Sequence, residues 1–110
     1  MTINKSQLSD APYLLPVTDD DINRAAVSLK AMSHPLRLKI LCVLGDKAIS
    51  VQDIVEAVGT SQSNISQHLA IMRDKNILAT EKLANKVFYR VNDADTLRLI
   101  SVMREVFCTQ

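Results

Sequence analysis

The sequence of 110 residues has no tryptophan, few other aromatic residues, two glycines and no long hydrophobic run. A core with so few aromatics must be built from aliphatic side chains, which suits packed helices better than a β-sandwich. The longest apolar run, residues 40–44, is far shorter than the roughly 20 residues that cross a bilayer, and the first twenty residues lack the apolar segment of a signal peptide. The sequence therefore predicts a helix-rich cytoplasmic protein that has no membrane partner.

The sequence also lacks the motifs of enzymes and metal sites. It contains no Cys-x-x-Cys pair, Gly-rich phosphate loop, nucleophile elbow or His-Glu zinc motif. Its soft or borderline metal ligands are Cys42, Cys108, His34 and His68. A tetrahedral metal site needs about four ligands that converge, so we expect no metal. Because the enzyme motifs are missing, we also expect no enzyme and no cofactor, and a thiol oxidoreductase is the weaker rival interpretation. His34, which precedes Pro35 at a helix start, is expected to be a capping or core-edge residue and not a metal ligand.

Charge is nearly balanced, with 13 basic and 12 acidic residues, but it is unevenly distributed. Residues 60–92 carry five basic and two acidic side chains, whereas residues 1–29 carry two basic and four acidic ones. This distribution is expected if only part of the surface meets phosphate. A basic face that is merely solvated explains the charge equally well, so charge alone decides nothing.

Two prolines and the absence of any sustained period predict an irregular arm over residues 1–20, followed by one domain over residues 21–110. Within the domain, the helical spacing of apolar residues and the capping residues predict four successive helices. They are expected to start near Asp21, after Ser33, after Ser50 and after Ser61, and the third spans Val51 to Val58.

A hairpin and a last helix complete the predicted domain. Residues 77–83 and 86–91 are rich in β-branched and aromatic side chains and flank a short turn in which Asn85 tolerates a positive φ. The last helix, capped by Asp93 or Asp95, is apolar on two sides. One helix of a small domain cannot bury two faces within its own chain. The second face therefore predicts a homodimer in which the first helix is the neighbour of the last.

The third and fourth predicted helices are joined by a short glycine-containing turn, and the free face of the fourth is rich in Gln, Ser and Asn. That order, followed by a hairpin, is the layout of a winged helix-turn-helix, so the predicted fold is mainly α with a small β-hairpin. Short polar side chains on a recognition helix reach base edges, while nearby cations contact phosphates. The predicted DNA-binding residues are Ser61, Gln62, Ser63, Asn64, Ser66, Gln67, His68, Arg73, Lys82 and Lys86. The alternatives are a winged helix that binds a protein instead of DNA and, for His68, packing within its own subunit.

Three stretches resemble the ArsR/SmtB family of bacterial winged-helix repressors: KAMSHPLRLKIL at residues 30–41, TSQSNISQHL at 60–69 and KVFYRV at 86–91. They occur in the family's order, and the likeness covers about residues 22–108. The resemblance implies a homodimer built on the first and last helices, a double-stranded DNA operator with two-fold symmetry and repression relieved by a chemical signal. Ala84-Asn85 at the hairpin tip departs from the glycine of many relatives and leaves the reach of the wing open.

The same resemblance bears on the inducer. Many family members sense metals through cysteines of the third helix or through histidines and carboxylates of the last, but here the third helix has no Cys or His and the last has no His. Cys42 and Cys108 resemble instead the pair of the sulfide- and persulfide-responsive members, which implies a disulfide or polysulfide link formed by a small sulfur or oxidant inducer. Taken singly, Cys42 is typical of a buried core thiol. A metal-responsive repressor stays the alternative within the family.

Overall fold

A computed structural model describes residues 2–7 and 17–108 of the chain. Its elements, in order, are a 3-10 helix Lys5–Gln7, α1 Asp19–Met32, α2 Pro35–Leu44, β1 Ile49–Ser50, α3 Val51–Val58, α4 Gln62–Asp74, β2 Leu78–Leu83, β3 Lys86–Val91 and α5 Ala94–Phe107. Most of the predicted arm, residue 1 and residues 8–16, lies outside the described residues, as do residues 109–110 of the predicted domain. In the part that is described, no helix has both the length and the apolar character needed to cross a membrane.

α1 begins at Asp19, earlier than the predicted start near Asp21, because Thr18 forms a capping box with Asp21. The Thr18 Oγ1 accepts from the Asp21 N–H at 3.0 Å, and the Asp21 carboxylate accepts from the Thr18 N–H at 3.3 Å. These reciprocal bonds satisfy backbone donors that the start of a helix leaves free. Hydrogen bonds from Arg24 and then Thr18 lower the pKa of the Asp21 carboxyl, so its negative charge lies at the positive end of the helix dipole.

The predicted Ser33 cap of α2 is wrong. Ser33 ends α1, where its N–H donates to the Lys30 carbonyl at 3.2 Å. His34 is the N-cap of α2, and its Nδ1 accepts from the Leu36 N–H at 3.1 Å. Pro35, which has no N–H to satisfy, takes the first helical position. Of the two roles expected of His34, capping or packing at the core edge, the structure shows capping.

α2, α3 and α4 pack around one aliphatic core. Its buried members on these helices are Ile40, Leu41, Leu44, Ile54, Val58, Ile65, Leu69 and Met72. Ile65, Leu69 and Met72 repeat with the helical period along α4 and form an apolar stripe that is fully buried. Full burial of one such side chain contributes roughly 1.5–3 kcal/mol, so this stripe determines which side of α4 faces inward.

The three strands form one antiparallel sheet in the order β1-β3-β2. β2 and β3 pair along their whole length, and Ala84 (φ 50°) and Asn85 (φ 65°) lie in the left-handed region between them. Two consecutive positive φ values are typical of a two-residue type I′ turn, whose twist matches that of the strands. The predicted hairpin is therefore confirmed. The sequence does not predict β1, because a strand of two residues has no periodicity to detect.

Candidate nucleic-acid interface

The turn between α3 and α4 determines the direction in which α4 leaves the core. Gly59 ends α3 in the left-handed conformation, with φ 85°, and its N–H donates to the Val55 carbonyl at 2.9 Å. Glycine enters this region without a clash at Cβ, so the chain changes direction within residues 59–61. Ser61 then caps α4, since its Oγ accepts from the Asn64 N–H at 3.2 Å.

The first two turns of α4 present a polar surface outside the core. Its exposed residues are Gln62, Ser63, Ser66 and Gln67. Ser61, which precedes them, is exposed too, and its hydroxyl lies 3.4 Å from that of Ser63. Asn64 is half-buried, and its Nδ2 donates to the Thr60 Oγ1 at 3.3 Å. The amides of Gln62 and Gln67 and the hydroxyl of Ser66 make no hydrogen bond with any of the residues described, so their polar groups are available to a ligand.

The hairpin contributes a cation to the same surface. One groove is lined by Ser50, Val51, Gln52, Gln62, Ser66, Lys86 and Val87. The fold thus brings Lys86 of the wing to the first turns of α4, although the two are distant in the sequence. Gln52, exposed in the first turn of α3, is a candidate that the sequence does not reveal, because its neighbours in the groove come from other elements.

The remaining predicted cations lie farther from this groove or have partners. Lys82 is exposed on β2 near the hairpin turn. Arg73 is exposed in the last turn of α4, about 16 Å along the helix axis from Gln62. Arg90, which adds to the basic character of the segment, is held by Glu81 at 2.9 Å and donates to the Asn92 carbonyl at 3.1 Å. Arg90 therefore stabilises the wing.

His68 is turned toward its own chain. Its Nδ1 accepts from the Arg37 Nε at 3.1 Å, and its ring lies against that of His34 with centroids 4.5 Å apart. Burial first, then the neighbouring His34 and Arg37, lowers the pKa of the His68 imidazole. A role of His68 at the DNA stays a prediction, and its Nδ1 is already engaged. Arg37 has a part in the site that the sequence signals only as a charge within an apolar helix.

The two cysteines lie in different surroundings. Cys42 is half-buried on α2, whereas Cys108 is exposed at the C-cap of α5, and both thiols are free. Burial raises the pKa of the Cys42 thiol, the Arg104 guanidinium lowers it, and the negative charge of a Cys108 thiolate raises it again. The fold thus brings the two thiols within electrostatic reach of each other. In the described ranges, 2–7 and 17–108, no three His, Cys, Asp or Glu side chains converge on a point that could hold a metal ion.

An apolar face is formed by side chains of α1, α2 and α5. We call it the α1–α5 face, and it is defined by Leu29, Leu38, Leu99, Val102, Val106 and Phe107. Val106 is 62% exposed and Phe107 is 79% exposed. Such a continuous apolar surface is typical of a face that another protein surface covers. The second apolar side of the last helix, expected from the sequence, is present.

Residues 34–80 match the model of a family described as bacterial regulatory protein, arsR family. A biofilm growth-associated repressor of Xylella fastidiosa is 34% identical over 98% of this chain and 96% of its own length. The transcriptional activator HlyU of Vibrio cholerae is 36% identical over 92% of this chain and 94% of its own length.

Solved structures of similar proteins have the same fold as this chain. The structure of HlyU from Vibrio cholerae has a TM-score of 0.80 at 35% identity and covers 84% of this chain and 100% of that one. A homodimeric winged helix-turn-helix DNA-binding domain from Mycobacterium bovis has a TM-score of 0.73, and at 22% identity its likeness concerns the fold alone. The predicted winged helix-turn-helix is therefore confirmed.

Proposed function

The chain belongs to the arsR family of bacterial regulatory proteins, and on that premise we propose that it is a dimeric repressor that releases a two-fold symmetric operator when Cys42 and Cys108 become linked. Like its relatives, it is a DNA-binding transcriptional regulator and not an enzyme. The observation that carries the proposal is the exposed face formed by Gln62, Ser66 and Gln67, whose polar groups have no partner in the described part of the chain and whose helix is oriented by a buried stripe.

Direct contacts to bases are assigned to the free side chains of α4. A glutamine amide matches the donor and acceptor pattern of adenine in the major groove, and a serine hydroxyl suits several bases. Ser61, Ser63 and Asn64 lie at the N-terminus of α4, where free backbone N–H groups favour a phosphate. Exposed cations then position the duplex without reading its sequence. They are Arg73, Lys82 and Lys86.

A second copy of the chain is proposed to cover the α1–α5 face. A symmetric dimer places the same surface of each subunit at the two-fold axis, so an apolar face meets its own copy. The two α4 helices then enter successive major grooves about 34 Å apart, which is why the operator should be a palindrome. The homodimeric neighbour from Mycobacterium bovis shares the fold, and so provides a template for this arrangement.

The proposed sensing reaction begins at Cys108, because it is the more exposed thiol. Its thiolate attacks the outer sulfur of a small persulfide, RS–SH, which forms Cys108–S–SH and releases RS⁻. The Cys42 thiolate then attacks the sulfur bonded to the Cys108 Cβ, which forms the disulfide and expels HS⁻. The two cysteines lose two electrons, and the transferred sulfur leaves as sulfide. Burial raises the pKa of the Cys42 thiol, and the Arg104 guanidinium opposes that rise, so Arg104 favours the thiolate that the second step needs.

The link must strain the DNA-binding form more than the free form if it is to act as a signal. Closing the loop stabilises both folded forms alike against unfolding, so only the difference in strain between them changes affinity. Cys42 is well placed for this, since α2 also carries Ile40 and Leu41 of the core on which α4 rests. A typical coupling of about 1–3 kcal/mol corresponds to roughly a 5- to 150-fold loss of affinity.

The DNA-binding part of the proposal is tested with a duplex that the protein selects from a random-sequence library. Fluorescence anisotropy should show that the Gln62→Ala, Gln67→Ala double variant binds this duplex at least about tenfold more weakly, since each bidentate base contact contributes roughly 1–3 kcal/mol. Asn23→Ala, which removes an exposed amide of α1 outside the groove, is the matched control. Failure to select any duplex supports instead a winged helix that binds a protein partner.

Salt dependence separates phosphate contacts from base contacts. With three cations on each subunit, a dimer makes six phosphate contacts, and log affinity should fall with log salt concentration at a slope of about −5. Lys86→Met should make the slope shallower by about 2 and leave the preferred sequence unchanged. A slope near zero contradicts the assigned contacts.

The sensing part has its own test. After treatment with a persulfide donor, peroxide or zinc, separately, intact-mass and peptide mass spectrometry should find Cys42 joined to Cys108 with the first two reagents only. Cys42→Ser and Cys108→Ser should bind DNA as the reduced protein does and keep that affinity after treatment. Release by zinc without a change in mass favours the metal-responsive alternative. Because one relative is named an activator, a reporter assay with each form decides the sign of regulation.

A further inference from the structure

Arg37 connects three helices through one guanidinium. From α2 its Nε donates to the His68 Nδ1 on α4 at 3.1 Å, and its Nη1 donates to the Ala31 carbonyl near the end of α1 at 3.1 Å. Lys39, the other charged residue of α2, donates through its Nζ to the Val58 carbonyl at the end of α3 at 3.0 Å. Both charged side chains of this largely apolar helix thus donate hydrogen bonds to neighbouring helices. The planar Arg fork is rigid, so the bond to Ala31 also fixes the position of His68.

The bond between Arg37 and His68 requires one protonation state of the histidine. A guanidinium is protonated at every accessible pH and only donates, so the His68 Nδ1 must be unprotonated to accept. Adding a proton there converts the acceptor into a donor and places a positive ring beside Arg37. The ring of His34 lies 4.5 Å away and is tilted by 42°, so a protonated His68 would face a second imidazole ring. The lowered pKa of His68 agrees with this geometry.

No negative charge compensates a protonated His68. The elements packed against α4 are α1, α2, α3 and β2. Of their charged or titratable groups, only Arg37 of α2 and its N-cap His34 are close enough to shift the pKa of His68. α1 contributes the Ala31 carbonyl, which the Arg37 Nη1 already occupies. On α4 itself, the charged residues Arg73 and Asp74 lie at its far end. Among the residues that the structure describes, no carboxylate forms an ion pair with Arg37, His34 or His68.

We propose that Arg37 is a positioning residue for DNA binding, which holds α4 at the α1–α2 junction through His68 and does so only while His68 is neutral. The proposal rests on the DNA-binding role assigned to α4 above. His68 follows Gln67 directly and lies two residues after Ser66 in the same turn of α4, so movement of its ring displaces the side chains assigned to the bases. Operator affinity should therefore fall as the solution becomes more acidic.

The sign of this pH dependence separates two roles for His68. A lowered pKa means that the neutral form is favoured in the fold, so the bond is intact at and somewhat below the ordinary histidine value of about 6.5 and is lost as the pH falls through the lowered pKa of His68. If His68 instead touched a phosphate directly, protonation would add a cation to the interface and binding would tighten in acid. The two roles thus predict opposite slopes over the same pH range.

The test is a set of anisotropy titrations of the library-selected duplex at fixed ionic strength, from pH 7.5 to 5.5. The wild-type protein should lose affinity by about fivefold, at the low end of typical couplings between sites. His68→Asn keeps an oxygen acceptor for Arg37 near the position of Nδ1 and does not titrate, so it should bind as the wild type does at pH 7.5 and lose less in acid. Arg37→Met should bind weakly at both pH values. Arg98→Met, which removes one exposed Arg from α5, controls for net charge.

Folding and the hydrogen bond are checked without DNA. Circular dichroism at each pH shows whether a variant is folded, and if Arg37→Met is not, His68→Asn decides the matter alone. Nitrogen-15 NMR of the histidine rings should find the His68 Nδ1 unprotonated at pH 7.5 in the wild type. Acid-tightened or pH-independent wild-type binding overturns the proposal, and so does His68→Asn with the full wild-type acid loss. Absence of any binding at pH 7.5 overturns the DNA-binding proposal itself.

Discussion

The helix-turn-helix and the α1–α5 pair differ in where they place their apolar side chains. In α4 the apolar stripe is fully buried and the exposed residues are polar. In α5 only Ile100 is buried. The exposed apolar residues of α5 are Leu99, Val102, Val106 and Phe107, with exposures of 46%, 48%, 62% and 79%. The difference indicates that the helix-turn-helix buries its apolar side chains within one chain, whereas the α1–α5 pair leaves an apolar face exposed, which the proposed second copy would cover.

The largest effect is expected from Leu69→Ala, which opens a cavity in the core of the helix-turn-helix. Truncation of a fully buried leucine should lower the free energy of unfolding by about 2–5 kcal/mol. Urea unfolding followed by circular dichroism at one protein concentration measures it. Leu83→Ala is the control, because Leu83 is 69% exposed at the end of β2 and its loss should change stability by less than about 0.5 kcal/mol. Equal losses at both positions would remove the distinction.

Val106→Asp tests whether a second copy covers the α1–α5 face. A charge placed in the proposed interface between two copies should weaken association by about 2 kcal/mol or more, which is roughly a 30-fold rise in the dimer dissociation constant. Sedimentation equilibrium measures that constant, and the helical content of the monomer should stay the same because Val106 is 62% exposed in one chain. Leu83→Asp introduces the same charge at an exposed leucine outside the face. A variant as dimeric as the wild type would place the subunit contact elsewhere.

The sequence predicts the two halves to different extents, for a physical reason. Local rules were enough where one residue acts on its own helix, as with the Ser50 and Ser61 caps, or where a stripe such as Ile65, Leu69 and Met72 repeats with the helical period. They failed at the α1–α2 junction, where Ser33 and His34 are both capping residues and only the backbone decides which ends one helix and which begins the next.

The candidate site shows the same limit. Exposure of Gln62 and Gln67 follows from the position of the buried stripe, so the polar face of α4 could be predicted. The groove that joins α4 to Lys86, and the bond from Arg37 to His68, connect residues that are far apart in the chain. No local pattern encodes such contacts, because they arise only when separate elements pack. Because of this packing, the His68 Nδ1 already accepts a hydrogen bond from Arg37 of the same chain.

The smallest effect is expected at the N-cap of α5, the last helix of the α1–α5 pair. The Asp93 carboxylate accepts from the Thr96 N–H at 2.7 Å, and this bond lowers the pKa of the Asp93 carboxyl. A lowered pKa means that the unfolded chain binds the proton more readily, so the cap stabilises the fold above about pH 4 and the contribution is lost as the pH falls through the folded pKa. The uncharged Ser61 cap of α4 has no such dependence.

Asp93→Asn keeps a capping oxygen but removes the charge at the positive end of the helix dipole. Because this carboxylate is exposed and screened, the loss at pH 7 should be only about 0.3–0.5 kcal/mol, and it should shrink as the pH falls toward 3. Ser61→Ala should instead lower stability by about 1 kcal/mol at both pH values, since it removes an acceptor that never titrates. Urea unfolding of both variants and the wild type at pH 7 and pH 3 measures the difference. If the Asp93→Asn loss is as large at pH 3 as at pH 7, the carboxylate caps α5 by its oxygen alone, and the two halves begin their helices in the same way.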